Sequence, residues 1–363
     1  MNQTMIDPPE NLGNPEAEVI EKLSQFIKEK TEEDEFSGAV IVAKDGKSIF
    51  QTAVGFANKE KQIPNQVNTK FNLGSCNKMF TGVAIAQLVE KGLLSFDDTV
   101  GKVLPDYPNK DVTENVTIHQ LLTHTSGLGH YLNEKYMAAR PNLKSIDAYL
   151  NLFKDEPLLF RPGEKVSYSG NGFTVLGKII ETLSGQSYYD FVRKNIHEVA
   201  NMPRTDCYEI DPDNISEDMA IGYTRRLDIQ GHMSEGERKD NKDIIMVRGD
   251  AGGGGYSTCP DLVNFGQALL DNKLLSPEMT KIVLSPHVSE GSSQGRSKSE
   301  GYGFQVWDEK GVRRIGHPGR FAGVNARFDL YPDLGYTVVA LANYDEDAAF
   351  NVAEKAVAII AKL

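Results

Sequence analysis

Strand-forming runs stand near both ends of this chain, with a long stretch of helix-patterned sequence between them, and few folds accommodate that order. Near the N-terminus, SGAVIVAKDG and KSIFQTAVGFA meet at Asp45-Gly46, a dipeptide suited to the two left-handed residues of a tight hairpin turn. Near the C-terminus, YGFQVW, GVRRIGH, FAGVNARFDLYP and GYTVVALANY alternate with short turns. Antiparallel pairing lets strands from distant parts of a chain share one sheet. The expected fold class is therefore α+β: one antiparallel sheet built from both chain ends, flanked by helices, with a mostly helical insert. Residues 1–75 and 255–363 are assigned to the sheet domain and 76–254 to the helical one.

Apolar spacing predicts helices over 16–31 (Val19, Ile20, Leu23, Phe26 and Ile27 on one face), 77–90, 117–122, 146–156, 172–184, 188–199, 260–270 and 348–363. Gly92 and Gly185 close two of them. Weak periodicity and many charges over 205–250 predict long loops. The Ser/Gly-rich stretch SPHVSEGSSQGRSKSEG at 285–301 reads as mobile, either a lid or plain disorder.

Charge and composition exclude several functions. With 39 Lys and Arg against 51 Asp and Glu, the net charge of −12 repels phosphate backbones, so no nucleic-acid partner is expected. The three cysteines, Cys76, Cys207 and Cys259, are too few and too scattered for a disulfide framework or a Cys-rich zinc site. His119, His124 and His130 are spaced by five and six residues, which suits no HExxH-type centre, so neither metal nor cofactor is expected. The run Gly252 to Gly255 is not followed by Lys-Ser/Thr, so it reads as close backbone packing, not a nucleotide loop. No stretch approaches 18 apolar residues, and the first residues lack a basic then apolar leader pattern. The expectation is a soluble cytoplasmic chain, unless a leader preceding Met1 has been removed.

Chemistry concentrates in FNLGSCNKMFTGVAIAQLVEKG. Ser75 stands where a helix begins, and Lys78 follows three residues later on the same face. A serine hydroxyl needs a base before it attacks a carbonyl, and a lysine serves as one only when burial and the helix N-terminus lower its pKa. The plainer alternative is that Ser75 caps the helix and Lys78 is a solvated surface residue. Cys76 points about 100° away from Ser75 on a helix and reads as core filler.

Taken together, Ser75-Cys76-Asn77-Lys78, TIHQLLTHTSGL at 117–128, Tyr168-Ser169-Gly170 and His317-Pro318-Gly319 resemble the serine β-lactamase and penicillin-binding protein superfamily. The likeness is strongest to its class C β-lactamase, D-alanyl-D-alanine carboxypeptidase and family VIII esterase branch, and runs from the first hairpin to the last helix. It implies a β-lactamase/transpeptidase-like fold with the active site between sheet and insert. By resemblance, Ser75 is the acylated nucleophile, Lys78 its proton partner, and Tyr168 a proton relay whose phenolate Lys78 would stabilise. His317 would orient substrate or polarise that tyrosine, and the backbone N–H groups of Ser75 and Arg320 would form the oxyanion hole. Gly170, Asn171 and Gly319 would contact substrate, and Tyr131, Tyr136 and Met137 would line the mouth or pack a loop.

Two departures stand out. Gly170 occupies the place of the motif's usual asparagine, and His317 that of the β-lactamase lysine. Both turn the expectation away from penicillin hydrolysis and toward a small ester or a peptide or amide substrate. No acidic residue is assignable as a dedicated deacylating base. A non-catalytic peptide binder or scaffold is the competing expectation.

Overall fold

The computed structural model describes residues 14–362 except 227, 229–231, 235, 294, 310 and 346. Residues 1–13 and the last residue of the predicted C-terminal helix, Leu363, lie outside the described residues. In chain order the elements that frame the molecule are α1 (Asn14–Glu32), β1 (Gly38–Lys44), β2 (Lys47–Val54), α2 (Lys78–Glu90), α3 (Gly170–Ser184) and α4 (Cys259–Leu270). They continue with β3 (Val288–Ser293), β4 (Arg296–Glu300), β5 (Gln305–Glu309), β6 (Val312–Phe321), β7 (Val324–Tyr331), β8 (Tyr336–Ala342) and α5 (Ala348–Ile360).

Eight strands form one sheet in the order β2-β1-β8-β7-β6-β5-β4-β3, antiparallel throughout. The two chain ends meet at β1 and β8, where Gly38 pairs with Ala342 and Lys44 with Tyr336. Asp45 and Gly46 both take positive φ (49° and 74°), the turn that their sequence predicts.

Strand periodicity divides the core in two. Val40, Val42, Val338 and Ala340 face the terminal helices, meeting Val19, Leu23 and Ile27 of α1 and Ala349, Val352 and Ala356 of α5. Their alternate neighbours Ala39, Ile41, Val339 and Leu341 face the other way, into a larger core with Phe80 and Val83 of α2 and Phe265 of α4. Both sheet faces are covered, which explains why β1 and β8 read as near-continuous apolar runs. Helix α2 is buried nearly all round, with Met79 through Ala86 inaccessible. Its Gly82 packs so tightly on the loop before β5 that an added Cβ would lie 2.1 Å from the Tyr302 carbonyl oxygen.

Three expectations change. Residues 285–301 are not a mobile loop: they carry the edge hairpin β3–β4, paired onto β5 and bridged by Lys298 Nζ to Glu290 at 2.6 Å. Pairing with β5 overrides the weak strand propensity of serine and glycine. The helix expected over 146–156 is confined to Ile146–Leu150, because a charged run leads into Pro157, which disfavours helical backbone before it. The helix expected over 188–199 runs Tyr188–Val192 and widens into a π turn at Arg193–His197. Elsewhere, among the described residues, the long irregular region 205–250 carries two strands of two residues each, Tyr223–Thr224 and Lys239–Asp240.

Phe265 ties α4 to α2 and β7, edge-on to Phe80 (centroids 4.9 Å apart) and 5.8 Å from Phe328. Phe265→Ala should cost about 3–5 kcal/mol of stability, read as a lower urea midpoint at unchanged m value.

Candidate active site

Ser75 lies in a single 3-10 turn, Gly74–Asn77, that feeds directly into α2. It is not the cap of that helix: Asn77 holds the cap position and makes no side-chain capping bond. Gly74 has a left-handed φ of 49°, and a Cβ there would sit 2.8 Å from the Arg320 amide nitrogen. Across the contact, a Cβ on Gly319 would lie 1.9 Å from the Leu73 carbonyl oxygen. Two glycines thus let the Ser75 turn press its backbone against β6, with the Arg320 amide against Gly74, next to Ser75 in the chain.

Lys78 is the first residue of α2 and is 1% exposed. Its Nζ lies 3.2 Å from Ser75 Oγ and donates to the Gly252 carbonyl oxygen. The amine stands over the rings of Tyr168 (4.8 Å) and Phe173 (5.2 Å), and among the described residues no carboxylate pairs with it. Burial lowers its pKa to about 8, with Asp250 pulling it part of the way back. Asp250 itself is fully enclosed and accepts from Thr174 Oγ1 (2.5 Å), the amides of Gly252 (2.8 Å) and Gly253 (3.0 Å), and Tyr131 Oη (3.0 Å). It pins the glycine turn whose carbonyl receives Lys78. Sequence reasoning missed Asp250, although an acidic residue directly before a glycine run was a usable signal.

Tyr168 precedes α3, held in place by His124, whose Nδ1 accepts from the Ser169 amide (3.1 Å) and whose ring lies 4.4 Å from that of the tyrosine. The expected phenolate is not what this geometry favours. Lys78 addresses the ring face instead of stabilising the oxygen; although the residue as a whole is 42% exposed, desolvation of the phenol raises its pKa above the ordinary value despite a hydrogen bond with Ser75. Tyr168 therefore keeps its proton.

His317 is 1% exposed on β6. Its Nδ1 lies 2.6 Å from the Pro318 carbonyl oxygen, an acceptor, so Nδ1 carries the hydrogen and Nε2 a lone pair. That Nε2 has no partner among the described residues, and burial with Lys78 nearby lowers the pKa to about 3. The imidazole is neutral. Cys76 is buried with its thiol donating to the His317 carbonyl oxygen (2.9 Å), and burial pushes it up to about 12, which leaves no thiolate.

These groups border one cavity of about 450 Å³. Ser75, Lys78, Tyr168, Gly170, His317 and Arg320 all line it, together with the glycine turn 252–254. Asn171 does not: it is 1% exposed inside α3, which corrects the expectation that it meets substrate. Gly319 serves the backbone contact with Leu73 and is likewise absent from the lining. Of the three mouth residues only Tyr131 reaches the cavity, since Tyr136 is buried and bonds the Ile244 carbonyl oxygen. Trp307, Arg327 and Phe350 form a far wall that sequence patterning did not suggest. Among the described residues no three His, Cys, Asp or Glu side chains group as a metal site would require. No helix of the described chain is long and apolar enough to cross a membrane.

The Beta-lactamase family pattern matches residues 23–362. This chain belongs to the beta-lactamase family. Among its relatives, penicillin-binding protein 4* of Bacillus subtilis (strain 168) is 30% identical over 330 residues, which are 89% of this chain and 71% of that protein. The crystal structure of a penicillin binding protein from Bacillus halodurans superposes with a TM-score of 0.78 at 30% identity, covering 97% of this chain and all of that one. D-amino acid amidase from Ochrobactrum anthropi SV3, complexed with D-phenylalanine, shares the fold at 18% identity (TM-score 0.78, 96% and 99% covered). The chain spans 64–71% of the length of the first curated beta-lactamase relatives it matches.

Lys78 makes stability depend on pH. Its folded pKa, about 8, lies below the unfolded value of 10.5, so between these two the unfolded chain holds more protons and stability rises with pH. Below pH 8 the penalty is fully present, about 3 kcal/mol. Lys78→Met should therefore raise the urea midpoint at pH 6 and have a much smaller effect near pH 10.5.

Proposed function

We propose that this protein is a serine hydrolase that works through an acyl-enzyme on Ser75, acting on a small ester or on a peptide or amide bond. The observation that carries the reading is the 3.2 Å approach of a desolvated Lys78 amine to the Ser75 hydroxyl. With a pKa of about 8, roughly one molecule in ten has Lys78 neutral at pH 7, enough to act as a general base.

Lys78 takes the Ser75 proton as Oγ attacks the substrate carbonyl. Charge develops on the carbonyl oxygen in the tetrahedral state, where the amides of Ser75 and Arg320 receive it, an effect typically worth a few kcal/mol. Tyr168 retains its proton and stands beside Ser75, so it is the donor to the departing alcohol or amine. The neutral Nε2 of His317, an acceptor, orients the phenol or the substrate. The extra proton on Lys78 then restores the Tyr168 phenol, and water reverses the sequence. The neutral Lys78 amine takes a proton from the attacking water, Tyr168 gives its proton to Ser75 Oγ as the acyl group leaves, and the proton on Lys78 again restores the phenol. The named amidase relative acts on amides, and it shares this fold. β-Lactams rank behind esters and amides, because Gly170 supplies no amide side chain and His317 no cation.

A fluorophosphonate should label Ser75 stoichiometrically, seen as one adduct mass on the peptide that carries it, and Ser75→Ala should abolish both label and turnover. Absence of an adduct, with Ser75→Ala behaving as wild type, would establish the non-catalytic binder instead. kcat/KM should climb about tenfold per pH unit below pH 8 and level off above it. A flat profile from pH 5 to 9 would remove Lys78 from the role of base.

A further inference from the structure

One side chain in the cavity has no part in the acyl-transfer scheme and yet is held with care. Gly170 opens α3 on the helical wall, and a Cβ built on it would lie 3.0 Å from both Cε1 and Nε2 of His130. That is tighter than nine in ten real Cβ contacts, so with any side chain at this position the imidazole would have to give way by a few tenths of an ångström; the missing Cβ leaves it room. The ring also lies nearly parallel to Tyr168 (centroids 6.3 Å apart, planes at 26°) and borders the cavity beside Ser75 and Lys78.

Its tautomer follows from its one hydrogen bond. The Leu132 amide donates to His130 Nδ1 at 3.3 Å, so Nδ1 bears a lone pair and the neutral ring carries its hydrogen on Nε2. The residue as a whole is exposed, but partial desolvation of the ring and the nearby Lys78 lower its pKa below the ordinary value, so the imidazole is neutral at pH 7. Among the described residues no acceptor takes that N–H. The result is a solvent-accessible donor, with its acceptor nitrogen already engaged, at the cavity wall beside Ser75.

We propose that His130 is a specificity-determining residue: its Nε2–H donates to a carbonyl or ether oxygen that the substrate carries within a few bonds of the scissile carbonyl. The inference rests on the acyl-transfer reading above. It gives the crevice a preference for oxygen-bearing substrates over hydrocarbon ones of equal length, and it assigns Gly170 the role of making room for the donor.

Two matched ester pairs test it. On the acyl side, p-nitrophenyl N-acetylglycinate is compared with p-nitrophenyl pentanoate, and on the alcohol side, 2-methoxyethyl butyrate with butyl butyrate. Intrinsic reactivity cancels when the kcat/KM ratio within a pair is compared between enzymes. In at least one pair His130→Phe should lower the ratio about fivefold, the usual worth of one uncharged hydrogen bond, and His130→Gln, which keeps a donor, should restore most of it. Gly170→Ala should push the ring away and reproduce the loss, and adding His130→Phe to it should lower the ratio no further. Ratios unchanged in both pairs, with Ser75 still turning over ester, would overturn the role of His130 and leave the hydrolase standing. No turnover of any ester and no fluorophosphonate adduct would remove the hydrolase and this inference together.

Discussion

The arrangement depends on one unfavourable act, the burial of the Lys78 amine without an anionic partner. An ammonium beside a carboxylate would stay charged and useless as a base. Here the amine meets a carbonyl oxygen, a hydroxyl and two aromatic faces, all of which satisfy it without fixing its charge. Asp250 is close enough to act on it through space, but its own oxygens are spent on Thr174, Tyr131 and the glycine turn. The carboxylate thereby builds the acceptor that holds Lys78 while stopping short of an ion pair.

The cavity has two walls of different character. On the sheet side, β5 pairs with β6 only from Gln305 opposite Gly316 to Glu309 opposite Val312, so residues 317–321 keep one strand edge unpaired by β5. There the contact through Gly74 and Gly319 sets the position of the Ser75 and Arg320 main chain. On the helical side the groups are side chains: His124 braces Tyr168, and the space at Gly170 is filled by His130. In the proposed reaction the sheet wall supplies an oxyanion donor, the Arg320 amide, and the helical wall the Tyr168 proton donor and the His130 selectivity.

Much of the fold was legible because its signals are local. The Asp45-Gly46 turn, the spacing of Val19, Leu23 and Ile27, and the unbroken apolar runs of β1 and β8 each follow from a period or a turn preference. The hairpin β3–β4 was misread because its strands exist only by pairing with β5, a partner that composition does not reveal. At the site, the Ser75 and Lys78 spacing could be read from a helix turn. The protonation of Tyr168 could not, since it depends on which part of the ring the amine faces. Asn171 was placed by motif alignment, and only the start of α3 at Gly170 shows that it turns inward. His130 carried no signal of use in sequence, because its significance comes from an atom that Gly170 lacks.

The pairing of Gly38 with Ala342 has a consequence for how the molecule is made. Strand β8, which completes the hairpin β1–β2, is translated about 280 residues after it. Until then an apolar edge waits without its neighbour, open to any other chain offering a strand. Synthesis is therefore the stage at which this edge is most open to unwanted pairing.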